Sequence, residues 1–118
     1  MSIAPHTCLS IERALEYVAD MQGVHSLLGT LQQSLQDDLP RLQAQLDAGN
    51  LAAVHRALHQ IKGFAPVFCP DALVAEVIRV EGLSKGSDLQ AVRAAYAHLG
   101  PQLLQLLAEV QAQLALPR

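Results

Sequence analysis

The sequence is poor in aromatic residues and in cysteine. Phenylalanine, tyrosine and tryptophan together make up 3% of the 118 residues, tryptophan is absent, and Cys8 and Cys69 are the two cysteines. The sparse strand-forming residues cannot build a sheet, whereas the abundant leucine and alanine favour helices. Two cysteines are too few for a disulfide scaffold, so we expect reduced thiols, with Cys8 in a flexible tail.

The chain also lacks an excess of basic residues and a long apolar run. Its formal net charge is −3, which gives no general attraction to a phosphate backbone, and no basic surface carries interleaved aromatic residues for base stacking. No apolar run approaches the roughly 18 residues of a membrane span, and "MSIAPHTCLS" lacks the features of a secretory signal. We therefore expect a cytoplasmic protein that binds neither nucleic acid nor membrane.

Apolar residues recur at steps of three and four, which indicates amphipathic helices. A short first helix is predicted from a cap at Ser10 to Asp20, after which "MQGV" interrupts it. A long second helix starts at Val24 and ends at "DAGN", and Pro40 should kink it or begin a second segment. Its apolar stripe consists of Leu27, Leu28, Leu31, Leu35, Leu39, Leu42 and Leu46.

Three more helices follow, and the sequence predicts a connection after the third and after the fourth and a kink or break within the last. Asn50 is a candidate cap for the third helix, and "APVFCP" is interpreted as the interruption after it. Pro70 is well placed to start the fourth helix, "GLSKGSD" is a loop by composition, and Gly100 with Pro101 predicts a kink or break in the last helix. The inward-facing residues are Leu51, Val54, Leu58 and Ile61 in the third helix, Leu73, Val77, Val80 and Leu83 in the fourth, and Leu89, Val92, Tyr96, Leu99, Leu103, Leu106, Val110 and Leu114 in the last.

Together these helices predict an all-α fold. The simplest arrangement is an antiparallel up-down four-helix bundle with a short additional N-terminal helix, because each apolar stripe is removed from water only by packing against the others. We expect residues 10–116 to form one such domain, which is long enough to bury its own core, and residues 1–9 to be a flexible lead-in. The bundle alone indicates no activity.

The stretch "HQIKGFA" in the third helix carries the most chemistry. On a helical wheel His59 falls outside the apolar sector and should face solvent, with His55, Arg56, Lys62 and Gly63 three or four residues away. A glycine inside a helix costs about 1 kcal/mol relative to alanine. Gly63 therefore either gives an approaching protein room beside the imidazole or, with the proline three residues later, ends the helix.

These residue types suit phosphoryl chemistry. A neutral imidazole is a nucleophile, and histidine changes charge near neutral pH. Lys62 and Arg56 can balance the charge of a phosphoryl group carried on His59. The sequence has no G-x-x-x-x-G-K-[ST] phosphate loop, so another molecule would have to bring the phosphoryl group already activated.

With Leu73 following and "RVEGLS" one helix later, "HQIKGFA" resembles the histidine-containing phosphotransfer (Hpt) domain family. The resemblance implies that His59 accepts the phosphoryl group, that Ile61 is a buried aliphatic residue and that Lys62 supports the phosphoryl group. Gly63 matches the glycine that clears the docking face, and Val80 with Glu81 approximates a later Leu-Glu-like pair.

The resemblance also implies a partner and a reaction. A receiver domain phosphorylated on aspartate docks around His59, passes the phosphoryl group to the imidazole and is replaced by a second receiver. The partners are receiver domains of response regulators or of a hybrid histidine kinase. Because these partners supply Mg²⁺, the chain is expected to need no cofactor of its own. It would act as a carrier without kinase activity, either as a free-standing protein or as the C-terminal module of a hybrid sensor kinase. The expected docking face consists of Ala52, His55, Arg56, Gly63 and Phe64.

Three positions depart from the family pattern. Phe64 stands where small residues are usual and could narrow the range of partners. Pro66 enters what is normally continuing helix, so we expect a kink or an early end there. Cys69 replaces a glycine.

Two other interpretations remain open. A bundle that kept the docking face without transferring phosphoryl groups would be a pure interaction module. His55 and His59 also have the i, i+4 spacing of metal ligands, but a closed zinc site needs about four, and Lys62 and Arg56 would oppose a cation. The missing ligands would have to be His25, His98, Cys69 or a carboxylate.

The remaining acidic and aromatic residues have ordinary structural interpretations. Four acidic residues are assigned to solvated helix surfaces: Asp37, Asp38, Glu76 and Glu81. Three aromatic residues are assigned to the core: Tyr17, Tyr96 and Phe68.

Overall fold

The computed structural model describes residues 7–117, and five α-helices account for most of them. The helices are α1 (Ile11–Tyr17), α2 (Met21–Ala48), α3 (Leu51–Phe68), α4 (Asp71–Ser84) and α5 (Leu89–Ala115). No strand occurs among residues 7–117, which confirms the all-α class. No helix in this described part is long and apolar enough to cross a membrane.

Short polar side chains set the starts of four helices. The side chains of Ser10, Asp20, Asn50 and Asp88 each accept a hydrogen bond from the backbone N–H three residues later. Such caps satisfy donors that have no partner within the helix. The predicted caps Ser10 and Asn50 are therefore confirmed, and Gly49 ends α2 with a left-handed φ of 77°, which glycine adopts without strain.

The breaks on either side of two helices, α2 at its start and α4 at its end, differ from the predicted positions. Residues 21–24, "MQGV", form the first turn of α2, because the carboxylate of Asp20 accepts the N–H of Gly23 at 2.7 Å. The break lies instead at residues 18–20. In the second case "GLS" continues α4 to Ser84, so the loop is shorter than the composition indicated and comprises Lys85 to Asp88.

The prolines within helices do not break them. Pro40, Pro66 and Pro101 lie inside the continuous helices α2, α3 and α5. The interruption predicted at "APVFCP", with an early end of the helix at Pro66, is wrong: "APVF" belongs to α3, which runs on to Phe68 and stops only before Pro70, the N-cap of α4. An interior proline costs about 3 kcal/mol, but burying one large apolar side chain contributes about 1.5–3 kcal/mol. Buried neighbours such as Leu39, Phe68 and Leu103 therefore hold each segment helical.

Helices α2, α3, α4 and α5 contact one another in a closed ring, and α1 packs on α2 and α3. The apolar stripes point into this ring much as predicted, with Leu27, Leu51, Leu89 and Leu114 only partly buried. Leu83 and Tyr17 are exceptions, because both are exposed, Tyr17 by 62%. Phe68 and Tyr96 are buried, as expected for core residues.

The segment before α1 is fastened to α5. Of the predicted lead-in, residues 1–6 lie outside the described residues. Cys8 and Leu9 are buried, and the backbone N–H of each donates to Glu109 Oε1 at 3.0 Å, while Thr7 Oγ1 donates to Oε2 at 3.0 Å. Cys8 is therefore packed and not in a free tail. Neither Cys8 nor Cys69 forms a disulfide, and burial raises the pKa of Cys69 to about 12.

Candidate functional site

The helix α3 places three polar side chains along the side that faces α4. His55, His59 and Lys62 are spaced by four and three residues, which puts them on one helical face. Across from them, α4 carries Glu81. The carboxylate of Glu81 is the point where the three side chains of α3 meet, so the α3–α4 contact builds the site.

Glu81 is buried although it is charged. Its side chain is 1% exposed, with Lys62 Nζ 2.5 Å from Oε2 and Lys85 Nζ 3.4 Å from Oε1. Among the described residues no aligned hydrogen-bond donor faces either oxygen, so its partners are ammonium groups. Contact with Lys62 lowers the pKa of Glu81 against the opposing effect of burial. Glu81 is therefore ionised at neutral pH, as a buried acid with cationic partners should be.

His59 lies at the open edge of this cluster. Its Nδ1 is 3.8 Å from Glu81 Oε2, and its side chain is 65% exposed. The exposure confirms the prediction from the helical wheel. At 3.8 Å the contact is too long for a hydrogen bond, but a small side-chain rotation would let Nδ1–H donate to the carboxylate.

His55 is held more firmly than His59. Its Nδ1 is 3.0 Å from Ser84 Oγ and 3.8 Å from Glu81 Oε1. Ser84 Oγ donates its own hydrogen to the carbonyl oxygen of Glu81 at 2.6 Å, so the hydroxyl oxygen accepts from His55 Nδ1–H. This assignment leaves His55 Nε2 with a lone pair.

The surface around His59 is exposed and carries small residues. Ala52, Arg56 and Gly63 are exposed, as the docking prediction required. A Cβ atom added to Gly63 would meet nothing within 4 Å. Internal packing therefore does not demand a glycine, and Gly63 does not end α3.

Phe64, another residue of the expected docking face, is turned partly inward. It is half-buried against the core and packs edge-on against Phe68, with ring centroids 6.4 Å apart. Part of the large Phe64 side chain, which stands where small residues are usual, therefore packs in the core and not on the docking face.

Glu81 is the site residue whose role the sequence assignment missed. The sequence analysis assigns it to a solvated helix surface with Asp37, Asp38 and Glu76, which is wrong for Glu81, because its side chain is buried. The signal was its spacing, because Glu81 is four residues after Val77 and eight after Leu73, within the apolar stripe of α4. A carboxylate at such a position must find a cation or lose its charge.

The same three residues also form a set of possible metal ligands. One ligand atom from each of His55, His59 and Glu81 lies within 4.8 Å of the others. Among residues 7–117 no other group of three or more histidine, cysteine or acidic side chains approaches in this way. His25, His98 and Cys69 do not join the cluster; the carboxylate that the metal hypothesis required comes from α4.

A family model described as Hpt domain matches residues 26–113, which is most of the chain and includes α3, α4 and every residue of the site. Neither a curated protein nor a solved structure matches the chain.

Proposed function

This chain belongs to the Hpt domain family, and we propose that His59 accepts a phosphoryl group from an aspartate of one receiver domain and passes it to another. The family indicates histidine phosphotransfer in two-component signalling. The observation that carries the assignment to His59 is its position: an exposed imidazole whose Nδ1 faces a buried, ionised carboxylate.

The position of Glu81 supports Nε2 of His59 as the reacting atom. In a neutral imidazole one nitrogen bears the proton and the other bears the lone pair. With Nδ1 beside Glu81, the tautomer with the proton on Nδ1 is favoured, and Nε2 keeps its lone pair for a partner. Nε2 attacks phosphorus as the bond to the aspartyl oxygen breaks, the aspartate leaves as a carboxylate, and the Nδ1 proton stays on the ring.

Lys62 has a defined part in this scheme. In the free protein its ammonium group pairs with Glu81, and its side chain is 33% exposed. When the phosphorylated ring becomes cationic, that charge faces Glu81 in turn. Lys62 can then leave the carboxylate and contact a phosphoryl oxygen, since its flexible side chain carries a compact charge with rotatable donors.

The open surface around His59 supports docking of a protein partner. Ala52 and Gly63 present little side chain there, and Arg56 offers a cation at the same exposed surface. An exposed interior glycine without a packing role is explained if a receiver domain needs close approach to α3. In such a transfer, positioning and electrostatics dominate, and the receiver contributes Mg²⁺, so this chain requires no cofactor.

The same proposal extends to architecture and location. The loops between α2 and α3, α3 and α4, and α4 and α5 are short, and the four helices close a ring of contacts. Short connections favour antiparallel neighbours, which supports an up-down four-helix bundle within a domain of residues 10–116. Partnership with receiver domains points to a cytoplasmic location.

Transfer of label tests the function directly. The protein is mixed with receiver domains that carry a radiolabelled phosphoryl group on aspartate, and we expect acid-labile label to appear on the chain. The variant His59→Gln should receive none, whereas His98→Gln, altered at an exposed histidine outside the site, should behave as the parent. Label on His59→Gln would contradict the assignment, and binding to receivers without label would favour a pure interaction module.

A further inference from the structure

We propose that His55, His59 and Glu81 form a binding site for a zinc-type divalent cation, and that the bound cation blocks the phosphoryl acceptor. The binding step follows from the geometry of three side chains, and the blocking step rests on the function proposed for His59. The phosphoryl group and the cation would compete for one imidazole.

The three potential ligands come from two helices that the fold holds together. His55 and His59 are one turn apart on α3, with ring centroids 6.0 Å apart and planes inclined by 36°. Each Nδ1 lies 3.8 Å from a different oxygen of Glu81 on α4. Ligands about 2.0–2.2 Å from a tetrahedral zinc ion are separated by roughly 3.3 Å. A modest rotation of the histidines, one of them largely exposed, therefore closes the cluster around an ion.

The types of ligand favour zinc over magnesium or calcium. Two imidazoles and one carboxylate are a borderline-soft set, whereas Mg²⁺ and Ca²⁺ prefer oxygen ligands alone. Three protein ligands leave one tetrahedral position for water. The site would thus be of the open type and not a closed structural centre.

The carboxylate is already prepared to bind a cation. Glu81 is buried, and among the described residues its oxygens face ammonium groups and no aligned hydrogen-bond donor. Lys62 and Lys85 are competitors, yet their side chains are partly exposed and can turn into solvent. A divalent ion would replace these monovalent partners while adding two nitrogen ligands.

A hydroxyl group orients one of the histidines. Ser84 Oγ donates to the carbonyl oxygen of Glu81 and accepts from His55 Nδ1–H. The same contact holds the Nδ1 edge of the His55 ring toward Glu81 Oε1, 3.8 Å away. On binding, the ion would take the place of the Nδ1 proton and of the contact with Ser84, and the ring proton would lie on Nε2.

Direct binding tests the first half of the proposal. Zinc chloride is titrated into the unphosphorylated full chain in the presence of a competing chelator dye. We expect one zinc per chain, at least about tenfold weaker binding in His55→Ala and in Glu81→Gln, and no change in the matched control His98→Ala. Lys62→Ala should bind several-fold more tightly, because a competing cation is removed. Equal affinity in all variants, or no binding at micromolar zinc, would overturn the proposal.

Chemical phosphorylation tests the second half without a receiver domain. Phosphoramidate phosphorylates histidine by itself, and modification of His59 is measured by peptide mass mapping with and without zinc. Zinc at about ten times its dissociation constant should slow modification of His59 in the parent by about tenfold, because only the zinc-free fraction of the protein reacts. The slowing should be much smaller in His55→Ala, each protein being compared with its own zinc-free rate. Equal slowing in both proteins would contradict blocking at this site.

The two proposals can fail separately. Zinc binding and protection from phosphoramidate with no label from any receiver would refute phosphotransfer alone. Transfer from receivers in a chain that binds no zinc would refute the metal site alone.

Discussion

The ammonium group of Lys62 on α3 lies 2.5 Å from the carboxylate of Glu81 on α4. This ion pair joins the helix that carries the exposed imidazole to the helix that supplies the buried charge beneath it. Because Lys85 also faces the carboxylate at 3.4 Å, one acid is shared by two lysines and two histidines. Changes to any of these residues should therefore alter the chemistry of His59.

Removing the charge of Glu81 should slow transfer more than it disturbs the fold. In Glu81→Gln the Nδ1 proton of His59 loses the ionised acceptor that a small rotation of the ring brings within reach, and a hydrogen bond to a charged group contributes about 1.5–3 kcal/mol. We expect phosphotransfer about tenfold slower or more, measured by label transfer from a receiver. A parental rate would show that Glu81 does not orient the imidazole.

Glu81→Met separates the chemical role of Glu81 from its contribution to stability. An apolar residue of similar volume removes the desolvation cost of the buried carboxylate, and the lysines left behind are partly exposed and can turn into solvent. We expect a midpoint of urea unfolding equal to or above that of the parent, together with slow transfer. A strong loss of stability would indicate that the carboxylate holds α3 and α4 together.

Lys62→Ala should impair transfer and leave the helices intact. The side chain is one third exposed, and Lys85 remains to neutralise Glu81, so the fold loses little. Transfer should slow by about tenfold because a charge-assisted contact to the phosphoryl group is lost. Circular dichroism checks the fold, and Lys85→Ala is the matched control, for which we expect a smaller effect. Equal slowing in both variants would argue for a general charge effect.

The Glu81 cluster also predicts how stability depends on pH. Lys62 lowers the pKa of Glu81 below 4.5 in the folded chain. A lowered pKa contributes stability above the unfolded pKa, and that contribution is lost as pH falls through the folded pKa. The free energy of unfolding should therefore decrease below about pH 4.5, and less steeply in Glu81→Gln. Because Glu109 also has a lowered pKa, the difference between parent and variant is the quantity to measure.

The sequence was sufficient to predict the parts of the site that depend on local spacing. The exposure of His59 and the caps at Ser10 and Asn50 follow from neighbours within one turn. The solvated position of Glu81 and the early end at Pro66 are wrong predictions, because both environments depend on packing between helices that local patterns do not encode. A polar residue in an apolar stripe and a proline between buried residues both need the tertiary structure to be interpreted.

Gly63 tests whether access to α3 matters. Gly63→Ala should stabilise the chain by about 1 kcal/mol, since alanine favours helix and a Cβ there meets nothing within 4 Å. Gly63→Leu should keep the circular dichroism spectrum but reduce transfer, because a large side chain would stand where the receiver approaches. Label transfer and a receiver-binding titration measure the effect.

Gly29 on α2 provides the matched control for Gly63. It too lies inside a helix with nothing within 4 Å of an added Cβ atom. Gly29→Leu should therefore leave transfer unchanged. If Gly29→Leu and Gly63→Leu slow transfer equally, the slower transfer in Gly63→Leu is not caused by blocked approach of the receiver domain.

Pro66 should reduce the stability of α3 without serving the site directly. It removes the N–H that would pair with the carbonyl of Lys62, yet α3 continues to Phe68 because Ala65 and Phe68 are buried. Pro66→Ala should raise the free energy of unfolding by about 1–3 kcal/mol, measured by urea titration, since proline is about 3 kcal/mol less favourable than alanine in a helix interior. Transfer should persist, because His59 and Glu81 keep their positions. A stabilised variant that no longer transfers label would instead give Pro66 a role in shaping the surface that a receiver contacts.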